Sequence, residues 1–300
     1  MQAVAVYASF PVIIGAFCCC FLVFRGVFDS NLGVGIGAGE YAERPDPSIY
    51  GEKLIEDLKF PANAYVNVLY SVFGTYWVLR ALLIDQPPLV DVAPSSEPAA
   101  SASSTKRPSK RAVDRFASDA FMTAVFGWMG VFYGPVQFLR ISTQTHAWAV
   151  LDQWFTLPFF SWVCCWELVS ARPSTPKAWF FLVQLVSLSS YFLTFYSAIA
   201  FDVILAAHIL LAVAGALFLI KTFPERRLFT PFLRAVFCCG GFVLLKLADH
   251  RLAEAHPFFA VLSGHFWSKI CDACQIHFVC LMFFNFNSFD YGKLEEKKTD

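Results

Sequence analysis

The stretch GHFWSKICDACQIHFV, Gly264–Val279, sits inside an apolar run long enough to cross a bilayer, yet it holds His265, Lys269, Asp272 and His277. A charge at membrane depth costs a few kcal/mol or more, so such side chains turn toward other protein and find partners there. His265, Lys269 and Asp272 are spaced i, i+4, i+7. At about 100° per residue they fall within roughly 60° of one another on a helix. They form one polar stripe, and that stripe predicts a membrane helix packed against others.

The rest of the chain has the same character. Of its 300 residues, 57% are hydrophobic and 15% charged, with a mean hydropathy of +0.54. Soluble domains carry about 25% charged residues. Thirty-four Phe and eight Trp suit lipid-facing and interfacial positions. Net charge is zero and no arginine-rich face is present, which argues against nucleic acid as a partner. Eight apolar segments predict spans near 4–24, 60–79, 116–139, 148–169, 179–200, 201–220, 235–248 and 258–284. The fold class expected is all-α and polytopic.

Fifteen Lys and Arg fall in the loops 80–115, 170–178 and 221–234 and in the tail, against six on the alternate side. The positive-inside rule then places both termini in the cytosol. Residues 1–24 are expected to be an N-terminal span, 25–59 an acidic, Gly-containing non-cytosolic loop, 60–286 the membrane core and 287–300 a tail. The Pro/Ala/Ser-rich linker 85–110, within the loop 80–115, lacks the apolar surface to fold and is expected to be disordered.

All ten cysteines lie in apolar runs, which is not the pattern of a disulfide framework. Buried thiols serve there as small hydrophobes. Cys271, Cys274 and His277 form a C-x-x-C-x-x-H run, but steps of three drift about 60° around a helix each time. Three ligands splayed in that way do not meet one ion, so packing is expected there rather than metal.

Further polar groups lie in other spans: Gln137, Asp152, Gln153, Glu167, His208, Lys246, Asp249 and His250. With the expected topology, Gln137, Asp152, His208 and His265 lie one to two turns below the non-cytosolic surface. A cluster joining Gln137, Asp152, His208, Asp249, His250, His265, Lys269 and Asp272 would supply each with partners. Its role is either helix packing or a site.

Several motifs together resemble the transmembrane protein 187 family: NAYVNVLYSVFG, FYGPVQFLRISTQTHAWAVLDQWFTLPFF, FVLLKLADH and LSGHFWSKICDACQIHF. The likeness covers nearly the whole chain outside the linker, and it implies a multi-pass topology without an activity. From residue 60 the chain is also similar, more weakly, to the seven-helix superfamily of alkaline ceramidases and adiponectin receptors. That likeness implies one extra N-terminal helix ahead of a seven-helix ceramidase-like bundle. In that superfamily three His hold a zinc, assisted by Asp and Ser. Asp152 in VLDQW matches the Asp, and His265 matches the first His of an H-x-x-x-H pair; these two are the candidate catalytic residues. The second His position is Lys269, and the remaining His and Ser positions are Ile141 and Gln137.

A lysine ammonium has no lone pair for zinc. The expectation is therefore a non-catalytic, metal-free relative in which Lys269 pairs with Asp152 where the ion would be. Its role would be lipid binding or scaffolding in an internal membrane of Golgi type, with membrane lipids as partners. The alternative is a zinc-dependent membrane lipid amidase or hydrolase with a rearranged site drawn from His208, His250, His265 and Asp152. An ion or proton path through the polar layer is a third reading.

Overall fold

The computed structural model describes residues 2–31, 33–84, 110–172, 174–176 and 178–299, and all regular structure among them is helical. The helices are α1 (Gln2–Phe24), α2 (Pro47–Tyr50), α3 (Glu52–Asp57), α4 (Pro61–Tyr65), α5 (Val68–Ile84), α6 (Lys110–Thr143) and α7 (His146–Ala171). They are followed by α8 (Ala178–Ser190), α9 (Ala200–Thr222), α10 (Phe229–Leu247), α11 (Asp249–Ala255), α12 (Pro257–Val261) and α13 (Gly264–Thr299). A 3-10 segment, Tyr191–Phe195, extends α8. Of the linker expected at 85–110, residues 85–109 lie outside the described residues, but the ends of the expected loop 80–115 are helical: α5 runs on to Ile84 and α6 already starts at Lys110.

Six helical stretches among the described residues are long and apolar enough to cross a membrane: Val6–Phe24, Pro61–Leu83, Ala178–Phe195, Ala200–Thr222, Phe229–Leu247 and Gly264–Asn287. At 34 and 26 residues, α6 and α7 are longer but more polar. The seventh expected span, 235–248, begins six residues earlier than its apolar run, because Phe229–Arg234 continue the helix. The last one starts at Gly264, with Pro257 opening the separate α12 ahead of it. Proline is favoured at a first helical position, where no N–H is needed.

The order of packing contacts makes a closed ring. Helix α5 lies on α6, α6 on α7, α7 on α9, α9 on α10, α10 on α13 and α13 on α5. Two helices lie outside it: α1 crosses α6 and α7, and α8 lines the outer face of α7.

In lipid no hydrophobic drive holds helices together, so close backbone approach and polar bonds must do so. The α5–α6 contact shows the first device. A Cβ on Gly74 would lie 2.5 Å from the Gly127 carbonyl oxygen, and one on Gly127 would lie 2.8 Å from that of Gly74. Gly130 and Gly134 on α6 continue the seam, facing the Tyr70 and Asn67 carbonyls. Aromatic packing fills the ring interior, where Trp166 of α7 stacks on Phe283 of α13 at 4.1 Å and 6°.

The loop 25–59, for which the sequence suggested no role, closes one end of the ring. The Ala42 N–H donates to Asp249 Oδ2 at 2.9 Å, Arg44 N–H to the Ala260 carbonyl at 2.6 Å, and Gly37 N–H to Gln144 Oε1 at 3.2 Å. Buried Glu43 accepts from the Ala62 and Asn63 N–H groups at 2.8 and 2.9 Å. It thereby caps α4, whose own N-cap position, Phe60, offers no side-chain acceptor.

Candidate functional site

Helices α6 and α7 form an antiparallel hairpin whose turn passes through Gln144 in left-handed conformation, φ 52. The hairpin brings the end of α6 against the start of α7, and it decides the partner of Asp152. Arg140 forms an ion pair with Asp152 Oδ2. The Tyr133 hydroxyl donates to Asp152 Oδ1 at 2.9 Å and lies 2.9 Å from the Thr156 hydroxyl.

The expected Lys269–Asp152 bridge is therefore corrected. Lys269, 4% exposed, donates to Gln137 Oε1 at 2.7 Å. Its ammonium also lies 6.0 Å from the Tyr70 ring centre and 5.9 Å from that of Phe242, within cation–π range. The physical reason is the length of α6. Its sequence signal stops near 139, which leaves Arg140 in a loop, but the helix runs on to Thr143 and turns the guanidinium inward. The guanidinium is a fork suited to a carboxylate, and it takes Asp152 while Lys269 bonds Gln137.

Asp272 accepts from the Tyr70 hydroxyl at 2.5 Å, and Tyr70 meets Tyr133 edge to face at 5.0 Å. Gln137, Asp152, Lys269 and Asp272 thus belong to one network, with Arg140, Tyr133, Tyr70 and Thr156 added to it. Those hydroxyls were missed because a Tyr or Thr in an apolar run is indistinguishable from packing.

The remaining candidates lie elsewhere. Asp249, 3% exposed, accepts from the His265 N–H at 2.8 Å with the oxygen not used by Ala42, so it caps α13 and clamps the loop together. The His265 ring packs edge-on against Tyr41 at 4.8 Å. His250 is exposed beside it. His208 lies between α8 and α9. Its Nδ1 is 2.8 Å from the Ile204 carbonyl, which can only accept, so Nε2 takes the Ser187 hydroxyl proton at 2.9 Å. The single eight-residue cluster is thus replaced by a network, a clamp and a separate α8–α9 bridge. Among the described residues no three His, Cys, Asp or Glu are grouped as a metal ion requires. In the C-x-x-C-x-x-H run, Cys271 faces Gly241 of α10, whereas the His277 ring lies 5.4 Å from Phe73 and 5.6 Å from Trp77 of α5.

Two cavities adjoin the network. A chamber of about 1170 Å³ lies outside the ring, bounded by α1, α6, α7 and α8. Its walls are almost wholly apolar, among them Ile14, Leu22, Met129, Phe155 and Phe181. A narrower shaft of about 80 Å³ runs inside the ring between α6, α7, α9, α10 and α13. Tyr133 and Phe159 form the wall between the two.

Loop chemistry adds one titrating group. Burial raises the Glu43 carboxyl from its ordinary 4.5 to about 7, although the two N–H groups it accepts oppose the shift.

Comparison with known proteins gives a consistent assignment. The sequence profile of the TMEM187 protein family matches residues 8–285. The chain is 37% identical over 271 residues to Transmembrane protein 187 of Homo sapiens, covering 90% of this chain and 88% of that protein. It is 38% identical over 275 residues to Transmembrane protein 187 of Bos taurus, covering 91% and 94%. No solved structure matches.

Proposed function

The chain belongs to the TMEM187 family of multi-pass membrane proteins, and on that premise we propose that it is a non-catalytic lipid-holding protein of an internal membrane. The observation that carries this reading is the chamber of about 1170 Å³ between α1, α6, α7 and α8. The chamber opens sideways between the outer helices α1 and α8, toward the surroundings of the bundle. Apolar walls do not keep water, so a void of this size among membrane helices calls for hydrocarbon. The acyl chain of a membrane lipid is the occupant at hand. Lys and Arg bias across the loops supports termini in the cytosol.

The bonds of the network, the clamp and the α8–α9 bridge support a structural rather than catalytic role. Asp152 is engaged by Arg140 and Tyr133, His208 by Ser187 and Ile204, and Asp249 by two backbone N–H groups. The reading is of a metal-free protein, supported by Asp152 and His208, two of the groups a zinc site would draw on, being bonded to protein partners. The ceramidase-like ancestry remains a proposal on the residue likeness alone.

The test is lipid content. Full-length protein purified in a non-ionic detergent is analysed by native mass spectrometry, beside Gly15→Trp, which fills the chamber from α1. A Cβ at Gly15 meets nothing within 4 Å, so the indole enters open space. Bound phospholipid or sphingolipid on the wild type, lost in the folded variant, is the expected result. Equal lipid on both overturns the reading.

A further inference from the structure

The shaft inside the ring has a chemistry unlike that of the chamber. Most of its wall is apolar, with the rings of Phe126, Phe159, Phe160 and Phe232. Its polar atoms are few and nearly all acceptors or hydroxyls. At one end lie Tyr133, Thr156 and Asp272, already bonded within the network. About 16 Å along α7, eleven residues at 1.5 Å each, lies Glu167.

Glu167 is 5% exposed and lines the shaft. Its Oε1 is fully buried and has no hydrogen-bond partner. Gln275 Oε1, on α13 about one turn from Asp272 and so toward the other end of the shaft, is also buried without one. Among the described residues no Lys, Arg or His lines the shaft. The carboxyl is nonetheless accommodated by design of the backbone: it occupies a notch at Gly215 of α9, where a Cβ would collide with Oε2. A buried carboxyl without a donor costs several kcal/mol if ionised, so what would complete it is a donor that carries positive charge. Orphan acceptors beside aromatic faces in a narrow apolar tube suit an ammonium with an apolar body. An anion or a phosphate would be repelled by the Glu167 and Asp272 carboxyls in their ionised form.

We propose that the shaft is a binding site for a hydrophobic organic ammonium, its cation held by the Glu167 carboxylate and its chain lying among the phenylalanines. This site is separate from the chamber, and does not depend on the lipid reading.

The experiment measures thermal unfolding of the full-length protein in non-ionic detergent micelles with octylamine or 1-octanol, which share a chain and differ in charge. Octylamine is expected to raise Tm saturably and 1-octanol is not. Glu167→Gln, nearly isosteric, is expected to weaken the octylamine midpoint by at least about thirtyfold, the loss typical of removing one member of a buried charge pair. Ala212→Phe, which blocks the shaft midway and leaves Glu167 in place, is expected to abolish the response, so the test stands even if the first variant fails to fold. Gly15→Trp is expected to leave it unchanged, which separates this site from the chamber. Equal responses to amine and alcohol, or an undiminished response in Glu167→Gln, overturn the proposal. An absence of any octylamine response in the wild type overturns it too, and leaves Glu167 holding a proton only.

Discussion

Asp152 and Arg140 show how one side chain's address decides an account. Removing the carboxylate leaves a guanidinium inside the protein without its counter-ion, a loss of about 3–5 kcal/mol. Asp152→Ala is expected to lower stability by that order. Adding Arg140→Leu is expected to restore part of it, whereas adding Lys269→Leu is not, since Lys269 is bonded to Gln137. Tm values of the two double variants decide between the partners. Glu43 makes a second prediction at this scale. Its folded value, about 7, exceeds its ordinary 4.5. The folded state therefore holds the proton more tightly between those values. The Glu43 contribution is then full below about pH 4.5, declines as pH rises, and is lost above about 7. Hydrogen exchange of the Ala62 and Asn63 amides is expected to quicken across that window beyond its intrinsic pH dependence. In Glu43→Gln that excess is expected to vanish.

Helices were legible where composition alone decides them. The apolar runs of α1 and α9 lie close to their observed limits, and the inward stripe of α13 holds: His265 and Lys269 are buried, and Asp272 is bonded to Tyr70. Legibility failed at helix ends, because hydropathy stops where the first charge appears while the backbone hydrogen bonds continue. Arg140 was lost in that gap, and with it the true partner of Asp152. It failed again for contacts between distant segments. Nothing in the text of residues 25–59 signals that Asp249 and the start of α4 receive their bonds. The glycine seam was visible as letters, Gly127, Gly130 and Gly134, but its partner Gly74 is identified only by packing. A methyl group there forces two backbones apart. Gly74→Ala is expected to cost about 1–3 kcal/mol, read as a lower Tm, while the same change at Gly240, where a Cβ meets nothing within 4 Å, is not.

At the scale of the whole molecule, the ring, the loop that caps it and the two outer helices make a container. The polar network occupies the wall where α6 and α7 meet, and its bonds hold the wall together. Inside the ring a narrow shaft ends at an unmatched carboxyl. Outside it, α1 and α8 stand off α6 and α7 far enough to leave a chamber with walls of hydrocarbon character. A bundle held only for stability would close such a gap, since each lost contact costs packing energy. The central claim is that a lipid chain occupies it. The most direct measurement is photo-crosslinking in membranes with a lipid carrying a diazirine within its acyl chain, followed by peptide mapping. Adducts are predicted on chamber-lining residues of α1, α7 and α8, among them Leu22, Phe155 and Phe181, and on fewer of them in Gly15→Trp. Adducts confined to outward-facing residues such as Phe237 and Leu247 of α10, and unchanged in Gly15→Trp, would contradict the claim.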